Sequence, residues 1–491
     1  MKLKVKDVNL STGGSSIAII NELDAKKLGI HASDRISIRR LRTGQQAIAV
    51  ADISSADISP GQIGLFEEPL KQLGIEEGTH VDVLPTERPH SIQYISAKLE
   101  GKELTEKQIR EIVVDIVENH LSEVEMTYFV AACYSSKLTI DEAAALTKAI
   151  VETGTSLGLN KKVIIDKHCI GGVPNNRTTL IVVPIMAALG YTMPKTSSRS
   201  ITSPAGTADT MEVMAPVSLS LEKIKEVLAK TNACMVWGGG SLNLAAADDK
   251  LIRIRHPLSI DPEGMLLASI MAKKKAVGAT HCIIDIPYGF MAKFATQESA
   301  MKLGKKFSML GKMLGMKVKV LLTDGSQPIG NGVGPALEAF DVISVLKGEG
   351  PNDLREKSIF LASEMLQMVG EKNPRARVLE VLDSGRAYAK FKEIAIAQGG
   401  RKHIRLPKAR YFYDVVAAKD GVVRQINNKA IARIARIAGA PDDKAAGLYL
   451  RVHCGDKTKK GSVLFTIYAQ GRMKLDSAKS TAEEYQAVEI R

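Results

Sequence analysis

Aromatic side chains make up only 4% of this 491-residue sequence, with a single tryptophan, so the stacking platforms on which proteins hold single-stranded nucleic acid are scarce. Long apolar runs are missing too. The longest nearly apolar stretch, Leu180 to Leu189, falls well short of the ~20 residues a bilayer requires, which argues against a membrane-spanning helix. The amino terminus, Met1-Lys2-Leu3-Lys4-Val5-Lys6, is basic but has no apolar core of a signal peptide, so the expectation is a cytoplasmic protein. Cysteine is sparse: five residues, at 133, 169, 234, 282 and 454, with no Cys-x-x-Cys pair and no histidine at zinc-ligand spacing. A disulfide framework and a bound metal are both disfavoured.

What is present is the composition of an ordinary soluble globular protein, 45% hydrophobic and 25% charged, on a chain long enough for two to four domains. Lysine and arginine outnumber the acids by a formal +13. That excess favours an anionic partner. The basic residues are spread along the chain and form no tail, which points to a phosphorylated metabolite rather than nucleic acid. A basic RNA-binding protein is the competing reading from another class.

The amino-terminal segment repeats itself. Leu28-Gly29-Ile30 is followed by alternating Ile36 and Ile38, and 45 residues later Leu73-Gly74-Ile75 is followed by Val81 and Val83. Alternation after a glycine turn reads as half-buried strands, and a duplicated unit predicts a small barrel built from two halves. From Leu104 the period turns helical, with capping boxes at Thr105/Gln108, Ser122/Glu125 and Thr139/Glu142. Beyond it, short apolar runs alternate with amphipathic helices: Val163–Ile165 then Thr178–Leu189, Ala233–Val236 then Pro262–Val277, His281–Ile286 then Glu298–Leu314, Val318–Leu322 then Pro335–Leu346. This is an α/β pattern, a mainly parallel sheet covered by helices, with ligands expected in loops at the carboxyl ends of the strands. The last segment returns to strands, Tyr411–Val416, Gly421–Ile426, Leu448–Val452 and Val463–Tyr468, and reads as a β-rich cap. Met473-Lys474-Leu475 reads as one more ordinary strand and not as a biotinylated lysine.

Two loops after strands carry the donors of an oxyanion site. The first, Asp166 to Thr179, contains Lys167, His168, Gly171 and Gly172 and runs into a helix, so its backbone N–H groups and the helix start can face an anion. It lacks the Gly-Lys-Ser/Thr ending of a nucleotide P-loop. The second, Ser197 to Asp209, gathers six hydroxyls, Arg199 and a Pro204-Gly206 bend before another helix. A third stretch holds Arg255, then Asp261-Pro262, which fits a helix N-cap with proline at N1, then Ser269 and Lys273 one turn apart on a helix face. Lys274 and Lys275 read as a solvated face.

The order Lys167-His168-x-x-Gly171-Gly172-Val173, Ser197-x-Arg199 with Gly206-Thr207-x-Asp209, and Ser269-Ile270-Met271-x-Lys273-Lys274 resembles the thymidine and pyrimidine-nucleoside phosphorylases, from about Leu104 into the cap. Cys169, Ile201-Thr202-Ser203-Pro204-Ala205, Asp261 and the extra amino-terminal barrel depart from that branch and resemble the archaeal AMP phosphorylases. The resemblance implies phosphorolysis of nucleoside 5′-monophosphates, AMP and also CMP or UMP, to free base and ribose 1,5-bisphosphate, without a cofactor. A thymidine or pyrimidine-nucleoside phosphorylase is the alternative within the family.

Carried over by resemblance, Lys167, Thr178, Ser197 and Thr207 hold the attacking phosphate. Arg255, Ser269 and Lys273 hold the base. Gly172, Ser198, Arg199, Ser200, Ile201, Thr202, Ser203, Thr207 and Lys293 contact the rest of the nucleotide. The leaving base needs an acid; Asp261 is implied as proton donor, with His168 as the rival. The expected organisation is a barrel at 1–86, a helical lobe at 87–160 completed by about 244–277, an α/β phosphate-binding lobe at 161–404 facing it across a cleft, and an α+β cap at 405–491. The resemblance also implies a homodimer through the helical lobe, and the barrel is expected to mediate a larger homo-oligomer.

Overall fold

The computed structural model describes every residue except Ser15, Ile201, Thr202, Gly240, Ser241, Asn243 and Ser259. The chain forms two compact units, Met1–Gly154 with Ala245–Ala272, and Thr155–Leu244 with Lys273–Arg491.

In the first unit, strands β1 (Lys2–Asp7), β2 (Ile17–Asn21), β3 (Arg35–Arg40), β4 (Gln46–Ser54), β5 (Gln62–Leu65) and β6 (His80–Pro85) close a barrel in the order β1-β5-β2-β4-β3-β6. Alternation fills its interior: Ile36, Ile38, Val81 and Val83 are wholly buried, and Ile38 pairs with Val83 across antiparallel β3 and β6. The two Leu-Gly-Ile segments end short helices, with Gly29 and Gly74 in the left-handed region at φ 65° and 58°, where a side chain would be strained.

The helices Glu106–Val117, Glu123–Ser135 and Ile140–Thr153 each begin at a capping box. They share one core with Leu251 of the helix Ala246–Arg255 and with Met265 and Ala268 of the helix Glu263–Ala276. Beneath that core Lys98 donates to both oxygens of Glu142, at 2.7 and 2.8 Å, and both side chains are 2% exposed. Glu142 also accepts the Leu104 and Thr139 N–H groups at 2.9 Å each, so the ion pair pins three helix ends at once.

The second unit is built on parallel strands β7 (Ile165–Cys169), β8 (Met193–Ser197), β9 (Ala233–Trp237), β10 (His281–Tyr288) and β11 (Lys317–Asp324). They form a β11-β10-β7 sheet and a β8-β9 pair, joined by a bridge between Ile164 and Thr192. The helices Thr178–Ala188, Pro335–Leu346, Asn352–Met368 and Arg386–Ala397 supply the core that covers the strands. None of the helices among the described residues is long and apolar enough to cross a membrane.

The carboxyl-terminal part contains helices that the run of strand patterns there did not show. Between its strands lie the helices Asn428–Ile437 and Arg472–Tyr485. Met473-Lys474-Leu475 therefore starts a helix and is not a strand. The cause is packing: Ala478 and Ala482 of that helix are buried against the sheet of Tyr411–Val416 and Val463–Ala469, and a strand would leave that face uncovered.

Replacing Glu142 by Gln leaves the Lys98 ammonium buried without a counter-charge. The expected loss is about 3–5 kcal/mol of stability, measured by urea unfolding followed by circular dichroism; a loss below about 1 kcal/mol contradicts this account of the helical core.

Candidate active site

At the carboxyl end of β7 the chain turns through Ile170 to Arg177 into the helix Thr178–Ala188. Gly171 and Gly172 take φ 84° and 93°, and Gly172 runs so close to the 289–294 segment that a Cβ there would lie 2.8 Å from the Lys293 backbone nitrogen. Only glycine fits that approach, and it brings two sequence-predicted substrate residues, Gly172 and exposed Lys293, side by side.

Lys167 is fully buried, its amine donating to the Thr178 hydroxyl and, at 3.3 Å, to Thr179. Thr178 donates on to Asn176 Oδ1 at 3.2 Å, and Asn176 Nδ2 donates to Cys169 Sγ at 3.1 Å and Asp285 Oδ2 at 3.2 Å. Asp285 also accepts from Thr323 at 2.6 Å and pairs with Lys357 at 3.3 Å. Burial works to raise the Asp285 carboxyl, but Lys357 and Lys167 outweigh it and hold the group below its ordinary range. Burial lowers Lys167 and pushes the Cys169 thiol up to about 11.

A second buried cluster lies beside it. Lys274 donates to Asp166 at 2.5 Å, and Lys195 sits 3.5 Å from the same carboxylate while donating to the Lys167 carbonyl at 2.9 Å. Burial, with Lys274 beside it, lowers Lys195. The reading of Lys274 as solvated face is corrected here: it is 1% exposed, because its turn of helix packs toward β7 rather than toward water. His168 is half-buried next to these amines. Burial first, then Lys274, Lys195, Lys273 and Lys167, keep its ring well below the usual histidine value.

The second loop leaves β8 and enters a helix of six residues, Thr207–Glu212. Its donors are largely engaged by the loop itself. Asp209 accepts the Ser200 and Gly206 N–H groups at 2.7 and 2.8 Å. Arg199 binds Glu212 at 2.7 and 2.5 Å and lies 4.9 Å over the Trp237 ring. That contact with Arg199 is the chief reason Glu212 is lowered to about 2. Ser197 points back to the Val236 carbonyl at 3.4 Å, and Ser203 to Ala205 at 3.0 Å. Ser198 is exposed. Ile201 and Thr202 lie outside the described residues.

In the first unit Arg255, buried to 8% side-chain exposure, donates to Asp261 at 3.1 Å and lies 3.7 Å from Asp248, whose other oxygen accepts from Ser269 at 2.6 Å. Two of the predicted base-side residues, Arg255 and Ser269, thus meet at Asp248, a residue the sequence pattern did not single out. Asp261 itself is not the helix cap. The helix starts at Glu263 with the Leu266 N–H on the Pro262 carbonyl at 2.9 Å, so Asp261 stands one residue ahead of the cap, exposed, with Arg255 against its carboxylate. Lys273, half-buried, follows Ser269 by one turn of the same helix.

Three family descriptions match successive parts of the chain: the helical bundle domain of a glycosyl transferase family at residues 92–154, its a/b domain at 161–388, and the pyrimidine nucleoside phosphorylase C-terminal domain at 422–489. An AMP phosphorylase of Thermococcus sibiricus is 44% identical over 100% of this chain and 98% of its own, and one of Thermofilum pendens 42% identical over 99% and 95%. The chain belongs to the thymidine and AMP phosphorylase family of glycosyl transferases. A putative thymidine phosphorylase of Legionella pneumophila is 44% identical over 92% of the chain and 87% of its own. The anthranilate phosphoribosyltransferase of Thermus thermophilus shares the fold at TM-score 0.51 and 18% identity, over 62% of this chain and 99% of its own. The architecture is therefore that of the family, a helical bundle, an α/β domain and a C-terminal domain, and the chain is a pentosyltransferase.

Under the first loop, burial raises Asp341 to about 6, against the Asn331, Gly332 and Asn175 N–H groups that favour its charged form and with Asp353 and Tyr449 nearby. A carboxyl whose folded value lies above its unfolded one costs stability when ionised. The penalty is present above about pH 6 and fades as the pH falls toward 4. Wild type relative to Asp341→Asn should therefore gain about 2 kcal/mol between pH 7.5 and 4.5, measured by denaturant unfolding at each pH; an unchanged difference refutes the assignment.

Proposed function

We propose that the chain cleaves AMP with inorganic phosphate, releasing free adenine and ribose 1,5-bisphosphate, and that it accepts CMP and UMP by the same chemistry. What supports the reading is identity with AMP phosphorylases along the full chain, together with two hydroxyl- and glycine-rich loops over a lysine-rich buried cluster. Displacement at C1′ passes through a state with positive charge on the sugar and negative charge on the departing base. Phosphate is already a nucleophile, so the protein's task is to align it, an effect worth ~7–11 kcal/mol in favourable cases.

In this reading Lys167, Thr178, Ser197 and Thr207 orient the attacking phosphate. Gly172, Lys293 and the Ser198–Ser203 segment receive the phosphorylated ribose. Arg255, Ser269 and Lys273 hold the base, and Asp261 delivers the proton to it. His168, half-buried beside the Lys167 and Lys274 side chains, stays the rival acid. A site built for a 5′-phosphate leaves its donors unpaired with a plain nucleoside, which disfavours adenosine and thymidine. The helical part of the first unit would pair two protomers, and the barrel, read as a duplicated unit, would extend that dimer to a larger assembly.

Free adenine should appear from AMP only when phosphate is present, and Asp261→Asn should lower kcat by about 10²–10⁴, followed by chromatography of the released base. Near-normal turnover by that variant ends the assignment of Asp261. Thymidine or uridine cleaved as fast as AMP or UMP would replace the nucleotide reading by the pyrimidine-nucleoside alternative.

A further inference from the structure

The helix Pro335–Leu346 carries two wholly buried carboxylates one turn apart, Glu338 and Asp341, and the phosphorolysis mechanism uses neither. Both reach into the loops over β7 and β8. Glu338 Oε2 accepts from Arg177 Nε at 2.5 Å and from the Thr210 hydroxyl at 2.8 Å. Arg177 immediately precedes Thr178 at the end of the first loop, and its guanidinium also donates to the Ala205 carbonyl and, at 3.5 Å, to the Thr207 hydroxyl of the second. Asp341 Oδ2 accepts from Asn175 of the first loop at 2.6 Å and from the Asn331 and Gly332 N–H groups at 2.7 Å each. One face of one helix therefore grips both loops, and Arg177 is the rod between them.

The pair is unlike the buried ion pair of the helical core. Lys98 and Glu142 tie helix ends inside a core, whereas Arg177 and Glu338 touch loop atoms at the ends of two strands. We infer that Arg177 and Glu338 are positioning residues for the reaction: their ion pair fixes the spacing of the two oxyanion loops, and so sets the affinity for phosphate and for the phosphorylated substrate together. This rests on the proposed phosphorolysis. Reactants held about 1 Å out of place lose about a hundredfold in rate, so a clasp that holds two loops in register has a large kinetic lever.

Glu338→Gln alone leaves a buried guanidinium without its counter-charge and is a poor test. The double variant Arg177→Gln/Glu338→Gln removes both charges. If the pair positions the loops, the folded double variant shows KM for phosphate and KM for AMP each raised at least about tenfold and kcat/KM lowered about a hundredfold, and the activity lost in Arg177→Ala returns in part with millimolar guanidinium. A double variant that melts like wild type and keeps both KM values overturns the proposal and leaves the pair a structural one. Should the double variant fail to fold, Arg177→Lys, which keeps the charge and loses the fork, decides the matter by the same two KM values: both raised supports the clasp, both unchanged overturns it. If the wild-type protein releases no adenine from AMP, the proposed function fails. The clasp is then judged by calorimetric titration with inorganic phosphate: binding weakened about tenfold in the double variant supports it, and unchanged binding overturns it.

Discussion

Charge out of water is the constraint around which the second unit is arranged. Four lysines, Lys167, Lys195, Lys274 and Lys357, are buried or nearly so along β7 and its neighbours, against two aspartates, Asp166 and Asp285. An ammonium removed from water is costly unless it is paired, and two acids cannot pair four amines. Burial accordingly drives Lys167 and Lys195 toward their neutral forms. Under the proposed function, a phosphate anion brings negative charge to this amine-rich cluster, so binding it offsets part of what burying the amines costs.

The alternation of apolar runs and helices read from the sequence recurs in the fold, down to the helix Pro335–Leu346, because those elements are decided by local periodicity. The charged centre was not legible. Lys274 looks like surface in a run of three lysines, and only its partner Asp166, far back along the chain, makes it buried. Glu338 and Asp341 look like the polar stripe of an amphipathic helix until Arg177 and Asn175 arrive from the other side. Asp285 sits inside an apolar strand, His281–Tyr288, where a lone carboxylate was the available signal. Periodicity reports which face of an element is wet; it says nothing about which distant charge comes to dry it.

The same limit applies to the second loop. Its hydroxyls and Arg199 were countable as donors, but the acids Asp209 and Glu212 lie a few residues further on and fold back to take them. A donor count overstates what a loop offers whenever acids follow it within a turn or two of helix.

That engagement separates the two loops in kind. Under the first, Lys167, Asn176 and Asp285 are buried and mutually satisfied, so the geometry is fixed before any ligand arrives, the condition for stabilising a charge without reorganisation. On the second, Arg199 is 33% exposed and Glu212 30%, and breaking an ion pair that is open to water costs only about 0–1 kcal/mol. A phosphate group can take Arg199 from Glu212 at little expense, whereas an uncharged ribose hydroxyl cannot compete with a carboxylate for it. Under the proposed function, self-occupation of the second loop would act as a filter for charge. A rigid cradle on β7 and an exchangeable one on β8 would then hold one anion in place while favouring a fully charged second.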